Sequence, residues 1–91
     1  MTFDVLVLPD LFKNLPPTFR DNIKVAIKEL NDPFPGTGKG EKKEIKGAND
    51  VAYRLRVGRF RIFYRIDKEK RTVYVFDILT AEQAHKKYGR L

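Results

Sequence analysis

The sequence lacks cysteine and tryptophan, and it contains a single histidine, His85. Without cysteine the chain can form neither a disulfide, nor a thiolate nucleophile, nor a zinc finger. One histidine cannot supply a histidine-rich metal site, and we expect neither a metal nor a cofactor. No segment approaches the roughly 20 apolar residues that a membrane span requires, and the N-terminus lacks the basic segment of a signal peptide. We therefore expect a cytoplasmic protein that makes no membrane contact.

The composition is that of a small folded protein with an uneven distribution of charge. Hydrophobic residues make up 42% and charged residues 34% of the 91 positions, which predicts a single domain over residues 1–91. Basic and acidic side chains balance over residues 1–45, so residues 46–91 carry the whole formal net charge of +7. A basic surface of this kind indicates a polyanionic partner. The alternative is that surface lysines only improve solubility.

The first third of the chain is predicted to form one strand and two helices. Apolar residues alternate over residues 2–8, which is typical of a strand, and Pro9 ends it. A short helix is predicted over residues 11–15, before Pro16 and Pro17. A longer helix then runs to Leu30, because apolar side chains recur there at helical spacing. These side chains are Phe19, Ile23, Ala26, Ile27 and Leu30.

The rest of the chain is predicted to be mostly strand. Residues 32–43 are rich in glycine and proline and predict an irregular, mobile connection. Strand-like patterns follow over residues 51–57, 60–66 and 72–79. Thr80 and Gln83 have the spacing of a capping box, which predicts a C-terminal helix over residues 81–88. The predicted class is α+β, with the element order β-α-α-β-β-β-α.

Two of these strands are predicted to form a hairpin with Gly58 and Arg59 as its two-residue turn. Counting outwards from the turn gives one face on which every cross-strand pair is apolar or aromatic. The pairs on this face are Val57 with Phe60, Leu55 with Ile62, Tyr53 with Tyr64 and Val51 with Ile66.

The opposite face of the hairpin is basic. Arg56 is predicted to lie directly across from Arg61, and Arg54 across from Phe63. Like charges about 5 Å apart on neighbouring strands are destabilising, so an anion is expected between them. Phosphate is well suited, because guanidinium groups bind it in a bidentate manner. The alternative is that the arginines are solvated or pair with acidic side chains of the same chain, which would be Glu41, Glu44, Asp50 or Glu82.

Residues 53–66, with the sequence YRLRVGRFRIFYRI, resemble the central segment of the RelE/ParE toxin superfamily. Residues 44–47 and the helix end at residues 30–33 are also similar to that family, and the element order agrees over essentially the whole chain. The resemblance implies a RelE-like microbial RNase fold. In that fold a small, mostly antiparallel sheet packs on two N-terminal helices and is followed by a short C-terminal helix.

The resemblance also implies the toxin of a type II toxin–antitoxin module, neutralised by a RelB-like antitoxin that wraps the toxin with helical segments. RelE-like members cleave messenger RNA in the ribosomal A site, whereas ParE-like members inhibit DNA gyrase. Arg54, Arg56 and Arg61 occupy the positions of the RelE-like catalytic basic residues. We therefore expect a ribosome-dependent mRNA interferase that inhibits translation. Gyrase inhibition and non-catalytic binding to RNA or the ribosome stay open as alternatives.

In the RelE mechanism a ribose 2′-hydroxyl attacks the adjacent phosphate without a metal, and negative charge grows on the phosphorane oxygens. By resemblance Arg61 stabilises this charge, while Arg54 and Arg56 hold the phosphates or tune the attacking hydroxyl. An arginine stays protonated and is a poor general base, so electrostatic catalysis is expected. Other basic side chains predicted to contact RNA are Arg59, Arg65, Lys42, Lys43, Lys46, Lys86 and Lys87.

The C-terminus departs from the family pattern. RelE-like toxins commonly have an arginine after the last strand and a tyrosine a few residues later. Here the arginine position is Ala81 or Glu82, and the tyrosine position is His85 or Tyr88. Histidine exchanges protons near neutral pH, so His85 is a candidate general acid, with an ordinary surface role as the alternative. By the same resemblance Tyr88 is the other candidate catalytic residue for proton transfer. Its ring is predicted either to stack on a base or to anchor the helix on the sheet.

Overall fold

The computed structural model describes residues 2–38, 40–46 and 51–89, and the side chain of Lys46 lies outside the description. Gly47 and Asp50, which enter the sequence argument, are also outside it. The strands are β1 (Asp4–Val7), β2 (Glu41–Lys46), β3 (Val51–Val57), β4 (Phe60–Asp67) and β5 (Thr72–Thr80). The helices are α1 (Pro17–Lys28) and α2 (Ala81–Tyr88), with single 3₁₀ turns at Pro9–Phe12 and Glu29–Asn31.

The strands form a five-stranded sheet in the order β1-β5-β4-β3-β2. β1 pairs with β5 in parallel, and every other pairing in the sheet is antiparallel. This arrangement confirms the predicted α+β class and the mostly antiparallel sheet. Neither described helix is long and apolar enough to cross a membrane.

Helix α1 packs its apolar stripe on one face of the sheet. Ile23 is 1% exposed, and Ile27 and Leu30 are also buried, as their spacing predicts. The sheet face beneath α1 carries apolar side chains of β3, β4 and β5. Several residues of one strand reach this face because alternate residues of a strand point to the same side. The strand residues in this core are Leu55, Phe60, Ile62, Tyr64, Val73, Val75 and Ile78.

The structure corrects three details of the N-terminal half. The predicted helix over residues 11–15 is a 3₁₀ turn that begins at Pro9, whose fixed φ suits the first helical position. The helix predicted to reach Leu30 leaves α geometry after Lys28 and ends in a second 3₁₀ turn. Strand β2 was not predicted, so four strands follow α1 where three were expected.

Strand β2 overlaps the segment that was predicted to be an irregular connection. It is an edge strand with mostly charged residues, and charged side chains are a common feature of exposed edges because they discourage pairing with other chains. The hydrophobic pattern of a strand is therefore missing from its sequence. Lys42 ties the preceding loop to the sheet, because its Nζ donates to the carbonyl oxygen of Asp32 at 2.6 Å and to that of Thr37.

The central hairpin has the predicted register. Arg56 pairs with Arg61 and Arg54 with Phe63, and the ladder extends from the pair nearest the turn to Tyr53 opposite Tyr64. The fourth predicted apolar pair, Val51 with Ile66, lies beyond this end of the ladder. Gly58 has a φ of +56°, which fits the first central position of a type II′ turn, where glycine is favoured. The turn chemistry and the alternation of side chains together determine this register.

Helix α2 covers the opposite face of the sheet from α1. Its capping box is present as predicted, since Gln83 N donates to Thr80 Oγ1 and Thr80 N donates to Gln83 Oε1. A β-bulge between β4 and β5 inserts Phe76, so that Asp77 lies opposite Phe63 on the face that α2 covers. Bulges commonly redirect side chains in this way beside functional sites.

Candidate active site

A pocket of about 160 Å³ lies between the basic face of the hairpin and helix α2. Three of the predicted catalytic side chains line it, namely Arg54, Arg61 and His85. The remaining lining residues are small, which leaves room beside the charged groups. They are Ala81, Ala84 and Gly89.

Strand pairing brings the two arginines of this pocket together. Arg54 and Arg61 lie on neighbouring antiparallel strands, and Arg54 is two residues away from Arg56, the direct partner of Arg61. Such diagonal neighbours are within reach of long side chains. Ala84, which is 2% exposed, lets α2 approach the sheet closely. The pocket therefore depends on both the hairpin register and the position of α2.

The Arg61 guanidinium is held in place by the hairpin turn. Its Nη1 donates to the carbonyl oxygens of Gly58 and Phe60, each at 2.9 Å. Burial lowers the pKa of Arg61, and the neighbouring charges of Arg56 and Arg54 lower this pKa further. The side chain is therefore a positioned cation in a locally positive field, and binding of an anion would relieve that field.

Arg54 contributes an unused hydrogen-bond donor. Its Nε is buried and has no hydrogen-bond partner among the residues that the structure describes. Buried donors in proteins are nearly always satisfied, so an unsatisfied one commonly has a functional explanation. In a pocket that already holds a second guanidinium group, the natural acceptor is the oxygen of an anion.

Arg56 lies outside this pocket although it faces Arg61 across the ladder. Its Nη1 approaches Glu41 Oε2 at 3.5 Å, and the two side chains are 54% and 76% exposed. An exposed pair of this length contributes little to stability. The two facing arginines thus diverge, Arg56 towards Glu41 and Arg61 towards the turn. The alternative predicted from the sequence, pairing with an acidic side chain, therefore applies to Arg56.

Tyr88 contacts the sheet and is not among the pocket-lining residues. Its hydroxyl donates to Asp77 Oδ2 at 2.6 Å, and its ring packs on Phe63 with the ring centroids 4.8 Å apart. Burial raises the pKa of Tyr88, and the hydrogen bond to Asp77 raises it further. Of the two roles considered for Tyr88, the geometry therefore fits anchoring of the helix.

Asp77 was not singled out in the sequence, although it is central to this face. It is 8% exposed and accepts hydrogen bonds from Tyr88 and from Lys87, whose Nζ lies 2.7 Å from Oδ2. Its other oxygen, Oδ1, accepts from Ile78 N at 3.1 Å. The one available signal was an acidic residue inside an otherwise apolar strand, which is rarely buried without a partner.

Six of the seven predicted RNA-contacting side chains lie in the described part of the chain and fall into two groups, whereas that of Lys46 lies outside the description. Lys43 is exposed and pairs with Arg54 in the β2–β3 ladder, so it extends the basic face. Lys86 is exposed beside Glu82, at 3.6 Å. The others already make contacts inside the protein: Lys42 binds loop carbonyls, Lys87 binds Asp77, Arg59 stacks on Phe19 at 4.6 Å and Arg65 on Phe76 at 4.8 Å.

A metal centre has no ligand set in the described parts of the chain. No group of three or more histidine, cysteine, aspartate or glutamate side chains comes together there. The charged groups that do converge are cations, which bind anions rather than metal ions.

Comparison with known proteins identifies the family. The profile of the ParE toxins of type II toxin–antitoxin (parDE) systems matches residues 8–85. A protein of Methanocaldococcus jannaschii named "Putative toxin RelE1" is 37% identical over 81 residues, which are 88% of this chain and 87% of that protein. The chain therefore belongs to the RelE/ParE superfamily of type II toxin–antitoxin toxins.

Solved structures share the fold. The toxin fold in the archaeal RelE–RelB complex from Pyrococcus horikoshii OT3 matches with a TM-score of 0.70 and 21% identity, covering 88% of this chain and 96% of that one. The RelB–RelE antitoxin–toxin complex from Methanococcus jannaschii gives a TM-score of 0.68 and 24% identity, covering 91% and 98%. These matches confirm the predicted RelE-like fold.

Proposed function

We propose that this type II toxin is a ribosome-dependent mRNA interferase that cleaves messenger RNA in the ribosomal A site and so inhibits translation. The observation that carries the proposal is the convergence of Arg54, Arg61 and His85 in one pocket, where the buried Nε of Arg54 has no hydrogen-bond partner within the described residues. Two positioned cations can stabilise the negative charge of the phosphorane, and a histidine side chain beside them can serve as the general acid.

In the proposed reaction the ribose 2′-oxygen attacks the adjacent phosphorus, and its proton passes to solvent. The bond from phosphorus to the 5′-oxygen of the next nucleotide then breaks. Arg61 stabilises the charge that grows on the phosphorane oxygens, because its guanidinium is already fixed by two backbone carbonyls. Arg54 binds the same phosphate through its unused Nε. The products are a 2′,3′-cyclic phosphate and a 5′-hydroxyl end.

The leaving 5′-oxygen takes its proton from His85 in this proposal. His85 lines the pocket, whereas the Tyr88 hydroxyl is engaged with Asp77. Proton transfer requires the donor to reach the leaving oxygen, so the position favours His85 over Tyr88. The message extends from the pocket along the exposed cations of the same face, Arg56 and Lys43, which bind its neighbouring phosphates.

The proposed partners are the ribosome, its message and a RelB-like antitoxin that wraps the toxin in the cytoplasm. The structural relatives named above are complexes with RelB, which supports the antitoxin. A groove of about 460 Å³ lies beside the N-terminal 3₁₀ turn and the hairpin, and it includes Leu11, Arg59 and Phe60. Apolar side chains at edge strand β1 offer further contact area, since Leu6 and Leu8 are 54% and 65% exposed.

Gyrase inhibition is the second candidate function. It is favoured by the matching family profile, which is that of the ParE toxins. In that case the arginine face binds gyrase or DNA without catalysing a reaction, and the message stays intact. Binding to RNA or the ribosome without cleavage would leave the message equally intact, with translation still reduced.

The test adds the purified chain to a translating extract and maps message ends by primer extension. We expect cuts at A-site codons, and we expect Arg61→Ala to slow cutting by roughly a hundredfold to a thousandfold, as for the loss of one preorganised oxyanion donor. Arg71→Ala is the matched control, because Arg71 is exposed at the opposite end of β4 and β5. Intact message, together with inhibited supercoiling by gyrase, would contradict the proposal and support the alternative.

A further inference from the structure

Helix α2 supplies one wall of the arginine pocket, and its two ends are fixed by different contacts. At the N-terminal end the amide of Ala81 donates to the Arg59 carbonyl at 2.8 Å, and the Thr80 capping box closes the first turn. At the C-terminal end the contacts are made by Tyr88 and Lys87, and both converge on Asp77. Loss of Asp77 would therefore remove both polar contacts at the C-terminal end, where only the packing of the Tyr88 ring on Phe63 is described besides them, and would leave the N-terminal end attached.

The pocket wall runs along α2 from Ala81 past its last turn to Gly89, and the part of it that contains His85 lies towards the end that Asp77 holds. His85 and Gly89 line the pocket on either side of the two anchoring residues in sequence. An eight-residue helix is too short to be stable alone, so its position depends on tertiary contacts. If the C-terminal contacts are lost, α2 can pivot about its capped start, and His85 moves relative to Arg54 and Arg61.

We propose that Asp77 is a positioning residue, whose buried carboxylate holds α2 so that His85 faces Arg54 and Arg61 across the pocket. This proposal rests on the proposed function, since it assigns Asp77 to the same site. Asp77 does not line that pocket, so its effect on an anion must pass through the helix.

The surroundings of Asp77 support its role in holding α2 in position. The β-bulge places it on the α2 face, although the rest of the strand core is apolar. Three donors satisfy its two oxygens, which is what a buried charged group requires. The hydrogen bond to Asp77 is also the main cause of the raised pKa of Lys87, which favours the charged form of that lysine.

The chain offers a direct spectroscopic test, because His85 is its only histidine and the Hε1 proton of its imidazole gives one assignable signal. The probe is inorganic phosphate, titrated while that signal is followed by nuclear magnetic resonance. Amide hydrogen exchange of α2 and β4 is measured on the same samples. The variants are Asp77→Ala and Tyr88→Phe. Glu82→Gln is the matched control, since it removes the exposed Lys86 pair from the same helix without touching Asp77.

In the wild type and in Glu82→Gln, we expect phosphate to shift the His85 signal and α2 to be protected. In Asp77→Ala, we expect β4 to stay protected while protection of α2 and phosphate affinity each fall at least about tenfold, as for lost hydrogen bonds to a charged group. Tyr88→Phe keeps the carboxylate and the ring on Phe63, so it should fold and show a smaller loss in the same direction. It keeps the test valid even when Asp77→Ala fails to fold.

The proposal is overturned if Asp77→Ala keeps α2 protection and phosphate affinity within about twofold of the wild type, a difference too small for a lost charged hydrogen bond. It is also overturned if phosphate leaves the wild-type His85 signal unchanged. If the wild type does not cut message but Asp77→Ala still loses α2 protection and phosphate affinity, the positioning role is supported and the nuclease proposal is contradicted. If the wild type cuts message and Asp77→Ala cuts it equally fast, the positioning role of Asp77 is contradicted and the nuclease proposal stands.

Discussion

Replacing Tyr64 with phenylalanine removes one buried hydrogen bond and leaves the aromatic ring in place. The Tyr64 hydroxyl donates to the Pro33 carbonyl at 2.6 Å and links the centre of β4 to the chain that follows α1. Tyr64 is 0% exposed, and Pro33 is also fully buried. The ring stacks on Tyr53 with centroids 5.5 Å apart, a contact that phenylalanine can keep. The change therefore isolates the hydrogen bond.

The expected cost follows from the unpaired carbonyl that remains. A buried acceptor that loses its donor costs about 1–3 kcal/mol, because water cannot reach it. With a urea dependence of about 1–2 kcal/mol per molar for a chain of this size, a loss of 2 kcal/mol lowers the unfolding midpoint by about 1–2 M. Burial also raises the pKa of Tyr64, which agrees with a hydroxyl that is retained in its protonated form.

Urea unfolding followed by far-ultraviolet circular dichroism measures this loss. The control is Tyr74→Phe, because Tyr74 is 38% exposed and surface substitutions usually stay within about 0.5 kcal/mol. If Tyr64→Phe costs no more than Tyr74→Phe, the hydrogen bond to Pro33 does not stabilise the fold, and the reasoning is refuted.

Three further predictions concern the elements that form the site. Thr80→Ala removes the acceptor for Gln83 N and should cost about 1 kcal/mol in urea unfolding; an unchanged midpoint would contradict the capping role. Gly58→Ala should cost about 1–2 kcal/mol from backbone strain at positive φ, since the added methyl group meets no neighbouring atom; a neutral result would argue against the turn geometry. The pKa values of Tyr53, Tyr64 and Tyr88 are raised above 10.0. Their contribution to stability is thus complete below about pH 10 and is lost as the pH rises through the folded-state pKa values. The midpoint of thermal unfolding, measured at increasing alkaline pH, should therefore fall above about pH 10.

The hairpin was predictable from the sequence because two independent local signals agree on its register. A turn with glycine at its first central position and strict alternation of apolar side chains both place Arg56 opposite Arg61. The apolar stripe of α1 and the capping box of α2 were also predictable, because both depend on the spacing of residues that are close in sequence. Strand β2 was not predictable, because an exposed edge strand needs no apolar face and its charged residues resemble those of a loop.

The site was only partly predictable, because it depends on how two distant elements meet. Pairing rules place Arg54 and Arg61 on one face, but the position of α2 decides which C-terminal residue joins them. The sequence left His85 and Tyr88 as alternatives for the tyrosine position of the family. In the structure His85 lines the pocket, whereas the Tyr88 hydroxyl contacts Asp77. That carboxylate reaches α2 because of a bulge at Phe76, and no local pattern in the strand indicates the bulge.

The chemical ends of the cut message test the central claim most directly. Ribosomes programmed with a short message are incubated with the purified chain, and the fragment ends are analysed by mass spectrometry. Attack by the 2′-hydroxyl at the Arg54–Arg61 pocket predicts a 2′,3′-cyclic phosphate on the upstream fragment and a 5′-hydroxyl on the downstream one, both strongly reduced with Arg61→Ala. Fragments with 5′-phosphate ends, or the same yield from Arg61→Ala, would contradict the account.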